Sequence, residues 1–121
     1  MKIRIQEIEL GVSDPGKSKL FYNSILGLDT SVDQEALKVF NSGVAGVDFN
    51  TSTHFPSKTT MTSFLTDNLQ NVIDRLSANG IVFRGPHESH LGMTTIEFND
   101  PDGYLIRVNQ PTEKSPTWLK V

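Results

Sequence analysis

The 121-residue sequence contains no cysteine. This absence excludes disulfide bonds, a thiolate nucleophile and a cysteine-based metal site. It suits a reducing compartment, so we expect a cytoplasmic protein. The sequence also lacks an apolar run of the roughly 18 residues that a membrane-spanning helix needs, and we expect no membrane partner. The length is that of one domain with a core of its own.

Positive charge is also limited, since 11 Lys and Arg residues stand against 14 Asp and Glu residues and give a formal net charge of −3. No basic block or aromatic-basic pattern is present, so nucleic acid is not an expected partner. Charges interrupt the first fourteen residues, which therefore do not form the apolar core of a signal peptide. There is neither a phosphate loop of the GxxxxGKS type nor a serine nucleophile elbow.

The strongest helical pattern is in the second half of the chain. Its apolar positions follow the i, i+3, i+4, i+7 spacing of one buried face: Leu69, Val72, Ile73 and Leu76. Asp67 is placed to cap the start of this helix, and Gly80 can take the left-handed conformation that follows its end.

A matching segment occurs in the first half, with Asp14 as the cap, Pro15 at the first helical position and Gly27 after the end. Its predicted buried face consists of Leu20, Phe21 and Ile25. Asp14 and Gly27 are thirteen residues apart, as are Asp67 and Gly80. The sequence therefore predicts two copies of one unit.

A strand pattern precedes each helix and three more follow it. The candidate strands after the first helix are LDTSVDQ, LKVFNS and GVDFNT, and those after the second are GIVFRG, MTTIEFN and YLIRVNQ. The first helix is preceded by alternating Ile8, Leu10 and Val12, and the second by TTMTSFLT. Asp100-Pro101-Asp102-Gly103 has the residues of a type I turn. Residues 51–58 are the predicted linker between the two copies.

Three stretches resemble the vicinal oxygen chelate superfamily, which includes glyoxalase I, bleomycin resistance proteins and extradiol dioxygenases. They are GVSDPGKSKLFYNSILGL (11–28), LSANGIVF (76–83) and FNDPDGYLIRV (98–108), and the likeness extends over about residues 5–110. The resemblance implies an α+β fold of two βαβββ modules whose curved mixed sheets enclose a cavity. Module 1 would cover about 1–53 and module 2 about 58–110, with a tail over 111–121. Small two-module chains of this family commonly form homodimers.

Many members of the family hold one divalent metal with His, Glu or Gln side chains from four strands. Counting from the helix caps and the turn, the resemblance implies that Glu7, Asp48, Met61 and Arg107 occupy the equivalent positions. Thr60 and Thr62 remain alternatives to Met61, because that strand has no firm anchor. A thioether is a poor ligand for a hard divalent ion.

Arg107 decides most about this site, because the turn at residues 100–103 fixes its register. Leu105, Arg107 and Asn109 should share the face opposite Ile106 and Val108. A guanidinium has no lone pair to donate and repels a cation, so we expect the family's metal to be absent. Arg107 then either orients an anionic or carbonyl-bearing ligand or is a strand arginine balanced by Glu7 or Asp48.

The leading hypothesis is therefore a dimeric, glyoxalase/bleomycin resistance-like protein that binds a small molecule without a cofactor. One alternative is a lyase or isomerase of the lactoylglutathione lyase type with one divalent metal such as Zn, Ni, Mn or Fe. Another is a non-catalytic dimeric interaction domain. Whether the protein is an enzyme is left open.

Two further regions give weaker signals. His87 and His90 lie three apart in a predicted loop, where a metal site would lack a third ligand at a diagnostic spacing, and His54 lies in the linker. The tail carries the only tryptophan, Trp118, which either frays or docks onto the domain or a second subunit.

Overall fold

The computed structural model describes all 121 residues and has eight strands and two α-helices. The strands are β1 (Ile3–Gly11), β2 (Thr30–Asp33), β3 (Leu37–Asn41), β4 (Asp48–Ser52), β5 (Thr60–Thr66), β6 (Arg84–Glu88), β7 (Thr94–Asn99) and β8 (Leu105–Gln110). The helices are α1 (Pro15–Lys19), which continues as a π-helical segment (Leu20–Ile25), and α2 (Leu69–Ala78). This order is the predicted strand-helix-strand-strand-strand plan, twice, and the fold class is α+β.

The chain divides into two compact units. The first unit is Gln6–Thr62, and the second unit combines Met1–Ile5 with Ser63–Val121. β1 and β5 each contribute residues to both units.

In the first unit the strand order is β2-β3-β4-β1. β1 runs parallel to β4, whereas β3 is antiparallel to both β2 and β4. Phe40 and Phe49 are directly opposite each other on β3 and β4, and their rings lie 5.5 and 5.0 Å from that of Tyr22. The helical segment therefore covers this face of the sheet, and the alternate residues of β1 and β4 lie on the other face.

The predicted ends of the first helix are confirmed. Oδ1 of Asp14 accepts hydrogen bonds from the amides of Gly16 (3.0 Å) and Lys17 (3.2 Å), and Pro15 is the first helical residue. Gly27 follows the helical segment with a φ of +89°, a conformation that costs glycine nothing.

The predicted buried face of this helix is wrong, because Leu20, Phe21 and Ile25 are 59%, 47% and 66% exposed. From Leu20 onward the helix widens to the π form, in which the amide of Leu26 donates to the carbonyl of Phe21 five residues back. The wider turn changes which residues face the sheet, and Tyr22 takes that position.

The second unit has the strand order β5-β8-β7-β6 and carries α2 against its apolar core. The core consists of Leu69, Val72, Leu76, Ile96 and Val108, with Phe64, Ile73, Phe83, Phe98 and Ile106 packed around it. The predicted buried face of α2 is thus confirmed. Gly80 also has the expected positive φ, +67°.

The predicted cap of α2 is wrong by one residue. Asn68 is the N-cap, and its Oδ1 accepts from the amide of Asn71 at 3.0 Å. The carboxylate of Asp67 instead accepts from the amide of Lys2 at 2.8 Å. The side chain of Asp67 therefore bonds to the N-terminal segment and does not cap the helix.

The turn before β8 is confirmed. Oδ1 of Asp100 accepts from the amides of Asp102 (3.0 Å) and Tyr104 (2.9 Å), and Gly103 has a φ of +90°. Because Ile106 and Val108 pack in the core with α2, the intervening Arg107 lies on the opposite face of the sheet, as the register predicted.

The strand after α2 begins later than predicted. The amide of Ile81 donates to the carbonyl of Leu76 at 2.9 Å and so belongs to the helix end. β6 starts only at Arg84, and His87 lies within it opposite Thr95 rather than in a loop.

The tail is anchored to the second unit through its backbone. The guanidinium of Arg4 donates to the carbonyl of Lys120 through Nη2 (2.6 Å) and Nε (3.1 Å). Trp118 is 69% exposed and does not belong to the core. No helix in the structure is both long and apolar enough to span a membrane.

Candidate functional site

The face of the first unit that points away from the helical segment carries two buried carboxylates. Glu7 and Glu9, two residues apart on β1, are only 8% and 6% exposed. Nδ2 of Asn50 donates to Oε2 of Glu7 (3.0 Å) and to Oε1 of Glu9 (3.3 Å), and Oγ of Ser52 donates to Oε2 of Glu9 (2.9 Å). We call these four residues the acidic cluster.

The parallel register of β1 and β4 builds this cluster. Glu7 is opposite Asp48, Glu9 is opposite Asn50, and Gly11 is opposite Ser52. Asn50 is therefore level with Glu9 and close to Glu7, whereas Ser52 is level with Gly11 and donates to the preceding carboxylate on that face, Glu9. Oδ1 of Asn50 is buried without a hydrogen-bond partner, so the cluster keeps an acceptor that a ligand donor can satisfy.

His54 lies at the border of the acidic cluster. Its Nδ1 is 3.7 Å from Oε2 of Glu9, and its amide donates to Oγ of Ser52 at 3.2 Å. The imidazole is 55% exposed. An imidazole in this position can hydrogen-bond to a bound molecule while it contacts the buried carboxylate of Glu9.

Two of the predicted site residues in this unit are neighbours, and the third has a different environment. Glu7 and Asp48 are paired across β1 and β4, and the position of Phe49 beneath Tyr22 places Asp48 on the same face as Glu7. Asp48 is exposed. Met61 on β5 is completely buried.

In the second unit Arg107 lies opposite Glu97, with Nη2 3.6 Å from Oε2. Both side chains are about four-fifths buried. Nε2 of His87 is 3.8 Å from the other oxygen of Glu97, so the carboxylate lies between a guanidinium and an imidazole. Nε of Arg107 is buried and has no hydrogen-bond partner. We call these three residues the arginine site.

A neutral polar row lies beside the arginine site on the same face of β7 and β8. Thr95 and Asn109 are completely buried and opposite each other, and Oγ1 of Thr95 donates to Oδ1 of Asn109 at 2.6 Å. The hydroxyls of Ser89 and Thr95 are 2.6 Å apart. These groups place mutually hydrogen-bonded polar atoms on the same face as the ion pair of Arg107 and Glu97.

Several of these residues were not predicted, although the sequence contained signals for them. Glu9 shares the parity of Glu7 on β1, and Asn50 shares that of Asp48 on β4. Glu97 and Arg107 each lie five residues from Asp102 in the turn, so the hairpin pairs them across β7 and β8. The carboxylate that balances Arg107 within the second unit is thus Glu97, a residue that the prediction did not consider.

The residues at the four predicted positions do not fit a divalent metal site. Glu7 and Asp48 offer carboxylate oxygens, but Met61 offers only a thioether and Arg107 only cationic donors. No group of three or more His, Cys, Asp or Glu side chains is placed to hold a metal ion. His87 and His90 therefore lack a third partner of these types as well.

Comparison with known proteins identifies the relatives of the chain. The family model described as the Glyoxalase/Bleomycin resistance protein/Dioxygenase superfamily matches residues 4–108. No curated protein matches the sequence.

Solved structures of low identity share the fold. A glyoxalase/bleomycin resistance protein/dioxygenase superfamily member from Vibrio splendidus 12B01 is 20% identical, with a TM-score of 0.67 over 90% of this chain and 99% of its own. Methylmalonyl-CoA epimerase from Mycobacterium tuberculosis is 14% identical, with a TM-score of 0.62 over 91% and 89%. The Mn(II)-bound glyoxalase from Novosphingobium aromaticivorans is 18% identical, with a TM-score of 0.67 over 94% and 42%.

Proposed function

The chain belongs to the Glyoxalase/Bleomycin resistance protein/Dioxygenase superfamily, and we propose that it binds a small anionic or carbonyl-bearing molecule without the family's divalent metal. The observation that carries this proposal is the buried Nε of Arg107, which has no hydrogen-bond partner. A buried donor without an acceptor costs about 1–3 kcal/mol, and a ligand oxygen would recover that energy.

The surroundings of Arg107 leave its hydrogen-bonding capacity free while holding its position. The 3.6 Å separation between Nη2 of Arg107 and Oε2 of Glu97 is an ion pair but too long for a hydrogen bond. Glu97 therefore lowers the cost of burying the guanidinium without using its donors. A planar guanidinium with free N–H groups suits a carboxylate or a carbonyl oxygen.

The absence of the metal is part of the same proposal. Two unit charges about 4 Å apart interact by ~4 kcal/mol at an effective dielectric near 20, and a divalent ion beside an arginine would meet about twice that repulsion. The buried carboxylates of Glu7 and Glu9 are instead occupied by Asn50 and Ser52. Within this proposal the free acceptor of the acidic cluster is Oδ1 of Asn50, which can accept a hydrogen bond from a ligand.

The test is a calorimetric screen of small carboxylates and α-keto acids against the wild type and Arg107→Met. We expect the best ligand to lose about tenfold or more in affinity in the variant, since charge-assisted hydrogen bonds contribute about 1.5–3 kcal/mol. Arg75→Met, which removes an exposed arginine from α2, is the matched control and should bind normally. Equal affinity of wild type and Arg107→Met would refute the role of Arg107.

The metal part has a separate readout. Protein purified without chelators should contain far less than one equivalent of Zn, Ni, Mn or Fe by elemental analysis, and it should not form lactoylglutathione. A stoichiometric divalent ion that dialysis does not remove would contradict this part and favour a metal-dependent lyase or isomerase.

We further propose that the chain forms a homodimer. The support is the exposed apolar surface of the π-helical segment and the residue after it, formed by Leu20, Ile25 and Leu26 outside the lining of any cavity described below. Light scattering after size exclusion should give twice the chain mass, and Ile25→Lys should give the monomer. The test concentration is about 100 µM, which is on the order of the dissociation constants of weak dimers. A wild type that remains monomeric at this concentration would reject the dimer.

A further inference from the structure

A cavity of about 490 Å³ lies in the first unit at the end of β1, beside α1. Three segments line it, namely residues 10–14, residues 17, 18, 21 and 22, and residues 57–60. None of the four residues of the acidic cluster lines this cavity. Its volume is within the range of small-molecule sites, which is roughly 300–1,000 Å³.

The loop that forms one wall is tightly fixed to β1. The amide of Gly11 donates to the carbonyl of Thr59 (2.9 Å), and the amide of Lys58 donates to the carbonyl of Gly11 (3.1 Å). A Cβ atom on Gly11 would lie 2.0 Å from the carbonyl oxygen of Pro56, so only glycine permits this approach. The wall is therefore preformed rather than assembled by a ligand.

Lys58 holds an unusual backbone conformation at this wall. Its φ is +66°, in the left-handed region that disfavours residues with a Cβ. Glycine or asparagine would adopt the same conformation at less cost. A strained lysine that lines a cavity suggests that its side chain serves a purpose there.

The cavity combines positive charge with apolar and aromatic surface. Lys17 of α1 also lines it, and neither Lys17 nor Lys58 forms an ion pair. Asp14 is the one carboxylate in the lining, and its Oδ1 already accepts from the amides that it caps. The lining carries one net positive charge, since two lysines stand against one aspartate.

The apolar part of the lining includes the rings of Phe21 and Tyr22, which meet edge to face with centroids 5.2 Å apart. Leu10 and Val12 of β1 and its extension add aliphatic surface. Aromatic rings arranged in this way accept another ring by stacking or edge contact.

We propose that this cavity is a second binding site, separate from the arginine site, for a small aromatic carboxylate. The ammonium groups of Lys17 and Lys58 bind the carboxylate, and the ring lies against Phe21 and Tyr22. This site goes beyond the proposed function, because it uses neither Arg107 nor the acidic cluster.

The test uses naphthalene-2-carboxylate as the probe and naphthalene-2-carboxamide as its uncharged equivalent, with the full chain labelled with ¹⁵N. We expect the carboxylate to bind at least about tenfold more tightly, because only it can pair with the lysines. Its amide shifts should be concentrated in residues 10–22 and 57–60. Rising salt should weaken the carboxylate alone.

Lys58→Asn is the decisive variant, since asparagine tolerates the left-handed conformation and removes the charge. It should fold as the wild type does and bind the carboxylate about tenfold more weakly. Lys114→Met, at an exposed lysine outside the cavity, is the matched control and should bind normally. Arg107→Met should also bind normally, which separates this site from the proposed function.

Three results would overturn the proposal. They are equal affinity for the carboxylate and the carboxamide, unchanged affinity in a folded Lys58→Asn variant, and loss of binding in Arg107→Met. The last result would place the probe at the arginine site, and the proposed function would stand without the second site.

Discussion

The two helices of the repeat have equivalent sequence signals but different environments. Both begin at a polar cap and end before a glycine with positive φ. α2 buries Leu69, Val72 and Leu76, whereas the π-helical segment after α1 leaves its apolar side chains in solvent. The spacing of caps therefore determines where a helix lies, but the type of helical turn determines which residues it buries.

The two polar faces differ in the same way. The first unit holds two carboxylates around a neutral amide, whereas the second unit pairs a carboxylate with an arginine and adds a neutral row beside it. The face of the first unit thus has an excess of hydrogen-bond acceptors, and the face of the second unit combines donors with acceptors. The two units therefore repeat the backbone structure without repeating the chemistry of the side chains on the polar face.

The largest effect should come from adding a charge to the acidic cluster. Asn50→Asp removes the amide that donates to Glu7 and Glu9 and places a third carboxylate among them, which should cost about 3–5 kcal/mol at neutral pH. Asn109→Asp, at a buried position two residues from Arg107, should cost less, because a cation is on the same face. Urea unfolding of both variants measures the difference.

If the two substitutions cost the same, the charge asymmetry between the two faces is not what determines their tolerance. In that case burial alone would explain both losses.

The comparison of helices predicts the next largest effect. Leu76→Ala removes a side chain that is 8% exposed in the core of the second unit, and it should lower the unfolding free energy by about 3 kcal/mol. Ile25→Ala, at a position 66% exposed, should change it by about 0.5 kcal/mol or less in the monomer.

Denaturation midpoints at low protein concentration test this pair. A large loss in Ile25→Ala that persists on dilution would show that this surface is buried within the monomer. A loss that appears only at high concentration would support the dimer instead.

A smaller effect concerns the two non-glycine residues with positive φ, Lys58 in the first unit (+66°) and Leu91 in the second (+55°). Lys58→Gly relieves the strain of the left-handed conformation but adds freedom to the unfolded chain, so we expect a net gain of about 0.5 kcal/mol. Leu91→Gly also loses a side chain that is only 41% exposed and should give no gain. Thermal unfolding measures both, and a lower melting temperature for Lys58→Gly would show that its conformation carries no strain.

The smallest effect is a pH dependence confined to the first unit. Hydrogen bonds from Lys19 and then Lys38 lower the pKa of Asp33 to about 2, with Nζ–Oδ distances of 2.5 and 2.6 Å. The unfolded value is about 3.9, so the carboxylate stabilises the fold above that pH, and this contribution is lost as the pH falls toward 2.

Asp33→Asn should therefore reduce the slope of the melting temperature between about pH 4 and 2, and high salt should reduce the effect further. Glu88→Gln breaks the exposed 3.6 Å pair with Lys114 in the second unit and serves as the control. An unchanged slope in Asp33→Asn would mean that the two lysines do not stabilise its carboxylate.

Much of the backbone could be predicted from local chemistry. The cap at Asp14, the glycine at position 80 and the turn at residues 100–103 each depend on a few adjacent residues, and the sequence located all of them. The register of β8 followed from the turn. Features that depend on distant partners were missed, such as the use of Asp67 by the amide of Lys2, which transfers the cap to Asn68.

The candidate site shows the same limit more strongly. Arg107 could be placed because its strand is anchored, but its partner Glu97 became evident only from the pairing of β7 with β8. The acidic cluster needs the parallel register of β1 and β4, strands separated by more than thirty residues. No local pattern encodes such a register, and its prediction needs the assembled sheet.

The distribution of the first strand over two compact units has a consequence for dissecting the protein. Residues 1–5 belong to the second unit, where the backbone of Lys2 exchanges hydrogen bonds with Asp67 and Thr66 and Arg4 binds the carbonyl of Lys120. The predicted linker at 51–58 is wrong at its start, because Thr51 and Ser52 belong to β4. Cleavage in the actual connection between β4 and β5, residues 53–59, would leave this strand segment on the wrong fragment. Neither half of the repeat therefore coincides with a compact unit. In a circularly permuted chain that starts at residue 6 and carries residues 1–5 after its tail, each unit would be contiguous, and the only link between the units would be the bond between residues 62 and 63.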